Sequence, residues 1–263
     1  MNTGTHAHTI LSVEQLAVRF GGVIALSDVS FVIRQGEIAS LIGPNGAGKT
    51  TAFDVITGFL SASEGSIRYR GQLLNRLRPH EIAGLGVVRT FQKTSVFGGN
   101  TGLENLLMAL HLQSNSKLWE ILLSVPRVRA EDRHLRQQAE EILEFVGLAN
   151  HAHKLGSTLA YGAQRLLEVA VALAAKPSLL LLDEPVSGMN PAETASFMAM
   201  LSKIRERGIT ILLVEHDMKM VMGVSDRVVV LSQGTIIAEG TPEEIQRNPE
   251  VISTYLGHEV GHA

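Results

Sequence analysis

Cysteine is absent from the 263 residues. This excludes disulfides and thiolate metal sites and fits a reducing compartment. An excess of one charge is missing too: 23 Lys and Arg stand against 26 Asp and Glu, a net charge of −3. That balance argues against a broad electrostatic grip on nucleic acid or anionic lipid, so no nucleic-acid partner is expected, although a local basic pocket stays open. Long hydrophobic runs are lacking as well. The longest candidates, Leu179–Leu182 and Ile209–Val214, fall far short of the roughly 20 residues that span a bilayer. Met1–Thr9 is polar and has no signal-peptide core, which predicts a cytosolic chain. No long repeat or low-complexity tract occurs. A mean hydropathy of +0.16 without a spanning segment calls for a strand-rich core or a buried partner surface.

What the chain does carry is alternation. Leu11–Phe20, Val29–Ile33 and Ile38–Ile42 read as strands, punctuated by Gly21-Gly22 and Gly36. Ser66–Arg70 and Val87–Phe91 are further strand candidates. Thr101-Gly102-Leu103-Glu104 is a capping box that opens a helical run, and a charged helix follows from about residue 130 to 146. Between about residues 95 and 160 little reads as strand. The last third returns to alternation: helix Tyr161–Ala175, strand Leu179–Leu182, a helix opened by Asn190-Pro191, strand Ile209–Val214, then Arg227–Leu231 and Thr235–Glu239. Continuous apolar strands between helices predict an α/β fold with a parallel sheet covered on both faces. The expected organisation is a single domain over 1–263. Its core lies at about 10–94 and 161–257, with a helical insertion at about 95–160.

Two motifs carry chemistry. Gly43-Pro44-Asn45-Gly46-Ala47-Gly48-Lys49-Thr50 fits G-x-x-x-x-G-K-[ST], preceded by an apolar strand and followed by a helix. Glycines let successive N–H groups turn inward on phosphate oxygens, and the helix adds its positive N-terminal end. In such a loop Lys49 reaches the β- and γ-phosphates and the Thr50 hydroxyl ligates Mg²⁺; Thr51 follows as a further nucleotide contact. The second motif, Asp183-Glu184 after a buried strand, suits a metal-holding carboxylate (Asp183) and a water-polarising one (Glu184). A strand-end acidic pair that merely caps a helix is the plainer alternative. The histidines at 6, 8, 151, 153, 258 and 262 show no metal-ligand spacing.

In this order the residues resemble the ATP-binding cassette (ABC) transporter ATPases, over about residues 11–257. Gln92 matches the family's glutamine loop. Leu159-Ala160-Tyr161-Gly162-Ala163-Gln164 stands where the signature motif stands, Ser187-Gly188-Met189-Asn190 follows the catalytic Glu, and His216 matches the switch histidine. Phe20 lies where the family stacks an aromatic ring on adenine. Phe20-Gly21-Gly22, Arg89-Thr90-Phe91-Gln92, Asn190-Pro191, Val214-Glu215-His216-Asp217-Met218, Ala238-Glu239-Gly240-Thr241-Pro242 and Tyr255-Leu256-Gly257 look like the branched-chain amino-acid importer subgroup. Urea and amide importers share much of this pattern.

The resemblance implies a phosphate-loop NTPase core, an N-terminal antiparallel β subdomain and an inserted helical subdomain. It implies ATP and Mg²⁺ as ligands, the metal held by Thr50, Gln92 and Asp183, and catalysis by Glu184, His216 and Gln92. It also implies a head-to-tail ATPase dimer, identical or with a sister subunit, in which the signature of one chain covers the ATP of the other. Two transmembrane permease subunits, indirectly a solute-binding protein, and a peripheral place on the cytoplasmic face of the membrane complete the expectation. Val96, Phe97, Leu103, Leu106 and Leu107 suit a groove for a permease helix; Val96 and Phe97 are the better contacts, and the leucines otherwise form the insertion's own core. Ala160 departs from the family's usual Ser and Ala163 from its Gln, which predicts a slower composite site.

Other readings weigh less. Guanine-reading Asn-Lys-x-Asp and switch Asp-x-x-Gly stretches do not occur, against a GTPase. The insertion is too short for the coiled coil of DNA-repair relatives, and a single cassette does not match ribosome-acting relatives. A subunit that binds ATP without hydrolysing it is disfavoured by Glu184 and His216 and kept open by Ala160.

Overall fold

A computed structural model describes residues 8–90, 97–111 and 126–259, the side chains of 126–130 and 256–259 excepted. Gln92 and Val96 lie outside the described residues. In chain order the elements are strands β1 (Thr9–Phe20), β2 (Val23–Arg34) and β3 (Ile38–Ile42), helix α1 (Lys49–Ile56), strands β4 (Glu64–Tyr69) and β5 (Gln72–Leu73), helix α2 (Pro79–Gly84) and strand β6 (Val87–Arg89). Helices α3 (Gly102–His111), α4 (Pro126–Phe145) and α5 (Tyr161–Ala174) come next, then strand β7 (Leu179–Asp183), helix α6 (Pro191–Glu206), strand β8 (Thr210–Val214), helix α7 (Met218–Val224), strands β9 (Arg227–Ser232) and β10 (Thr235–Gly240), and helices α8 (Pro242–Gln246) and α9 (Pro249–Glu259).

Two compact units result. The first comprises Met1–Arg89, Ser178–Pro185 and Thr194–Ala263. It holds an antiparallel sheet in the order β2-β1-β4-β5 and a six-stranded sheet in the order β10-β9-β3-β8-β7-β6. In the larger sheet β9, β3, β8, β7 and β6 run parallel and β10 closes one edge antiparallel. Its central strands are apolar on both faces because both faces are covered. Alternate residues part accordingly. Leu41, Leu179, Leu181, Leu212, Val214 and Val229 enter a core with Phe53 of α1 and the inner faces of β1 and β2. Ile42, Val228 and Val230 face the other way, onto Val221, Ile245 and Val251.

The second unit comprises Thr90–Pro177 and Val186–Glu193, and its described elements are helical apart from one isolated bridge, Thr101 to Leu155. The capping box at Thr101 is formed: Thr101 N donates to Glu104 Oε2 at 2.7 Å and Glu104 N to Thr101 Oγ1 at 3.2 Å. Leu103, Leu106 and Leu110 are buried here, so this stripe of α3 is the unit's own core. Phe97, in contrast, is 61% exposed. Among the described residues no helix is long and apolar enough to cross a membrane.

Sequence patterning placed nearly every strand of the larger sheet, yet it started the second strand at Val29 where the structure starts it at Val23. Val23 and Ile24 are exposed, so no alternation of burial announces them. They are recruited by pairing with Phe20 and Arg19 across the Gly21-Gly22 turn.

Candidate functional site

The carboxyl ends of β3, β8 and β7 lie side by side, Leu41 opposite Val214 and Val214 opposite Asp183. In an open parallel sheet this edge is where ligands bind. The loop leaving β3 fits only with glycine at its first position. At Gly43 φ is +153°, and a Cβ would stand 2.0 Å from the Leu231 carbonyl oxygen. Below it, Tyr255 of α9 packs against the Ile42 cluster. Burial pushes the Tyr255 phenol up to about 12, opposed by the neighbouring Gly43 amide.

Lys49 opens α1 and is buried. Its ammonium folds over the loop, donating to the Gly43 carbonyl at 2.7 Å and the Pro44 carbonyl at 3.1 Å. Burial lowers its pKa, and the negative charges of Glu184 and Asp183 pull it back up. A lysine on a helix N-terminus suits an anion, and the two carboxylates beyond it suit a cation carried by that anion. Thr50 and Asn45 are exposed, and Thr51 is half-buried.

Asp183 ends β7 with its side chain 1% exposed. Its Oδ2 accepts from Arg89 Nη2 at 2.8 Å, and its Oδ1 has no hydrogen-bond partner among the described residues. A buried carboxylate oxygen without a donor fits a hard cation or that cation's water. Among the described residues no group of three or more His, Asp or Glu could hold a metal alone. Mg²⁺ carried by phosphates needs only one or two protein oxygens, so the residues present fit it.

Glu184 follows in an unusual backbone state. Its φ is +47°, in the left-handed region that costs a residue with a Cβ about 1 kcal/mol or more. Its N–H donates to the Val214 carbonyl at 2.9 Å, which pins the turn to the neighbouring strand. His216 extends outward, its side chain 60% exposed, with Nδ1 3.8 Å from Glu215 Oε2. Glu215 is fully buried, and its Oε2 accepts from the His216 and Asp217 amides at 3.0 and 3.3 Å. It shapes the backbone that carries His216, a role invisible in the motif. Phe20 ends β1 half exposed and is no core residue.

The Leu159–Gln164 segment lies in the second unit. Ala160 is the N-cap of α5 and makes no side-chain capping bond. Gln164 turns back, its Nε2 donating to the Leu159 carbonyl at 3.0 Å. Tyr161 is exposed, and its hydroxyl accepts from Arg165 Nη2 at 2.6 Å. Arg165 also pairs with Glu168 at 2.8 Å, where burial pushes the Glu168 carboxyl up against that pairing. Gly162 is buried, and a Cβ there would stand 2.8 Å from Glu193 Oε1. Glu193 is held by the Asn190 amide at 2.9 Å, while Asn190 Oδ1 caps α6 at Ala192 and Glu193. Neither Glu193 nor Asn105, whose amide clamps both main-chain groups of Phe97, was marked by spacing. A buried Asn on a helix's apolar face was the only available sign.

Strand order, phosphate loop and strand-end carboxylates together define a phosphate-loop NTPase. The family model described as ABC transporter matches residues 26–187, and one described as branched-chain amino acid ATP-binding cassette transporter matches 235–261. The chain is 48% identical over 249 residues to the high-affinity branched-chain amino acid transport ATP-binding protein LivG of Salmonella typhimurium, covering 94% of this chain and 98% of that one. It is 45% identical to BraF of Pseudomonas aeruginosa, of the same description, with the same coverage. Among solved structures, the ADP conformation of MJ1267, an ATP-binding cassette of an ABC transporter, superposes with a TM-score of 0.83 at 31% identity, covering 95% of this chain and 99% of that one. The chain therefore belongs to the ABC transporter family, as one of its ATP-binding, ATP-hydrolysing cassettes.

Proposed function

We propose that this cassette energises an importer of branched-chain amino acids. The observation that carries the reading is the match over residues 235–261 to a model specific to that subgroup, beside 45–48% identity to relatives of that description. The backbone N–H groups from Asn45 to Thr51 and the Lys49 ammonium bind the phosphates, Gly43 and Pro44 shape the loop around them, and Phe20 offers its half-exposed ring to the adenine. Thr50 and Asp183 would hold Mg²⁺, with Gln92 as a third holder, and the ion would supply charge neutralisation to the phosphates. Glu184 orients the attacking water and accepts its proton, and His216 holds water and γ-phosphate in line. Leu159–Gln164 acts on the ATP of a second ATPase subunit, with the Gly162 amide at the head of α5 supplying the far-side donor. Two permease subunits place the cassette on the cytoplasmic face of the membrane, and a solute-binding protein delivers the cargo.

The test is uptake of labelled leucine in cells lacking their own branched-chain ATPase. Wild-type chain, co-expressed with its permeases and binding protein, restores uptake, and Glu184→Gln abolishes it while trapping an ATP-dependent dimer. Restored uptake of urea or amides without leucine would overturn the solute assignment.

A further inference from the structure

Arg89 ends β6, three residues before Gln92. Its guanidinium makes two short ion pairs with different elements: Nη1 to Asp54 Oδ1 of α1 at 2.6 Å, and Nη2 to Asp183 Oδ2 of β7 at 2.8 Å. The Arg89 side chain is 7% exposed, and the Phe53 ring lies 5.5 Å from its guanidinium carbon. One buried cation thus ties the helix that leaves the phosphate loop to the strand-end carboxylate.

The division of the fork matters. An arginine facing one carboxylate prefers to bind both of its oxygens. Asp54 takes one prong here, so a single prong reaches Asp183, and the second Asp183 oxygen, Oδ1, is left buried and without a hydrogen-bond partner among the described residues. A pair serving stability alone gains nothing by leaving that oxygen bare, since an unsatisfied buried acceptor is costly.

We propose that Arg89 and Asp54 are positioning residues: together they hold Asp183 by one oxygen and present the other to the cation bound with the nucleotide. This rests on the reading of Asp183 as a metal-holding residue. Arg89 fixes the carboxylate's rotation, and Asp54 keeps the second prong away from the presented oxygen.

Binding of a fluorescent N-methylanthraniloyl ATP to the purified full-length chain, with Mg²⁺ and with EDTA, tests this. The ratio of the two affinities is the gain due to the metal. Arg89→Lys keeps the charge and loses the fork, and its ratio falls about tenfold while the metal-free affinity holds. Asp54→Ala frees the prong to close on Oδ1, and its ratio falls as well. An electron paramagnetic resonance titration with Mn²⁺ shows the same loss of bound metal. An unchanged ratio in either folded variant overturns the proposal. So does an equal loss of both affinities, which marks a purely structural pair. If circular dichroism shows Arg89→Lys unfolded, Asp54→Ala decides alone. Failure of the underlying reading shows earlier and separately, as an Asp183→Asn variant that keeps the wild-type ratio.

Discussion

Position 160 is where one side chain sets two properties at once. Ala160 caps α5 through its backbone alone, whereas a serine there would accept from a first-turn amide and, in the proposed pairing of two ATPase subunits, offer a hydroxyl to the partner's phosphate. Ala160→Ser should therefore stabilise the isolated chain by about 1 kcal/mol in urea unfolding. In the assembled transporter it should raise ATP turnover about tenfold, since a hydrogen bond to a charged group is worth ~1.5–3 kcal/mol. An unchanged rate removes the idea that this signature is slow. At this scale the sequence was most readable where chemistry demands fixed spacing, as from Gly43 to Thr50 and at Asp183-Glu184. It was mute where a partner arrives from far along the chain. Arg89 and Asp183 are 94 positions apart, and nothing local to either announces their pairing.

Elements were readable from their ends. Thr101 with Glu104 and Asn190 before Pro191 form the caps their spacing predicts, and Thr241 with Glu244 forms a third of the same kind. β5 and α2 were not read, because the two residues of β5 are exposed and α2 buries only Ile82. Joints between elements were equally hidden. Arg227 at the start of β9 pairs with Glu37 Oε1 at 2.6 Å, donates to the Val32 carbonyl of β2 and pairs with Glu239 of β10. It thus ties the antiparallel sheet to the parallel one. Arg227→Met leaves Glu37 buried without its cation and should cost roughly 3–5 kcal/mol in chemical denaturation. Adding Glu37→Gln should recover part of that loss; a single variant as stable as wild type would show the network to be idle.

For the whole molecule the open question in the sequence was which apolar residues serve the interior and which a partner. The structure divides them: Leu103 and Leu106 are interior, while Phe97 stands 61% exposed with its backbone clamped by Asn105. Under the proposed transport role, Phe97→Asp should abolish co-purification with the permeases and leave ATP binding by the isolated cassette unchanged, and intact assembly would assign the permease contact elsewhere. Mild apolarity without a spanning segment then has two sources, the doubly covered sheet and surface held for partners.

The left-handed turn at Glu184 has a consequence of another kind. Glycine would relax that backbone, so, with Glu184 in its proposed role, robustness and turnover pull in opposite directions at this position. A lineage released from the need to hydrolyse ATP would drift toward glycine at 184 and become sturdier as it did so.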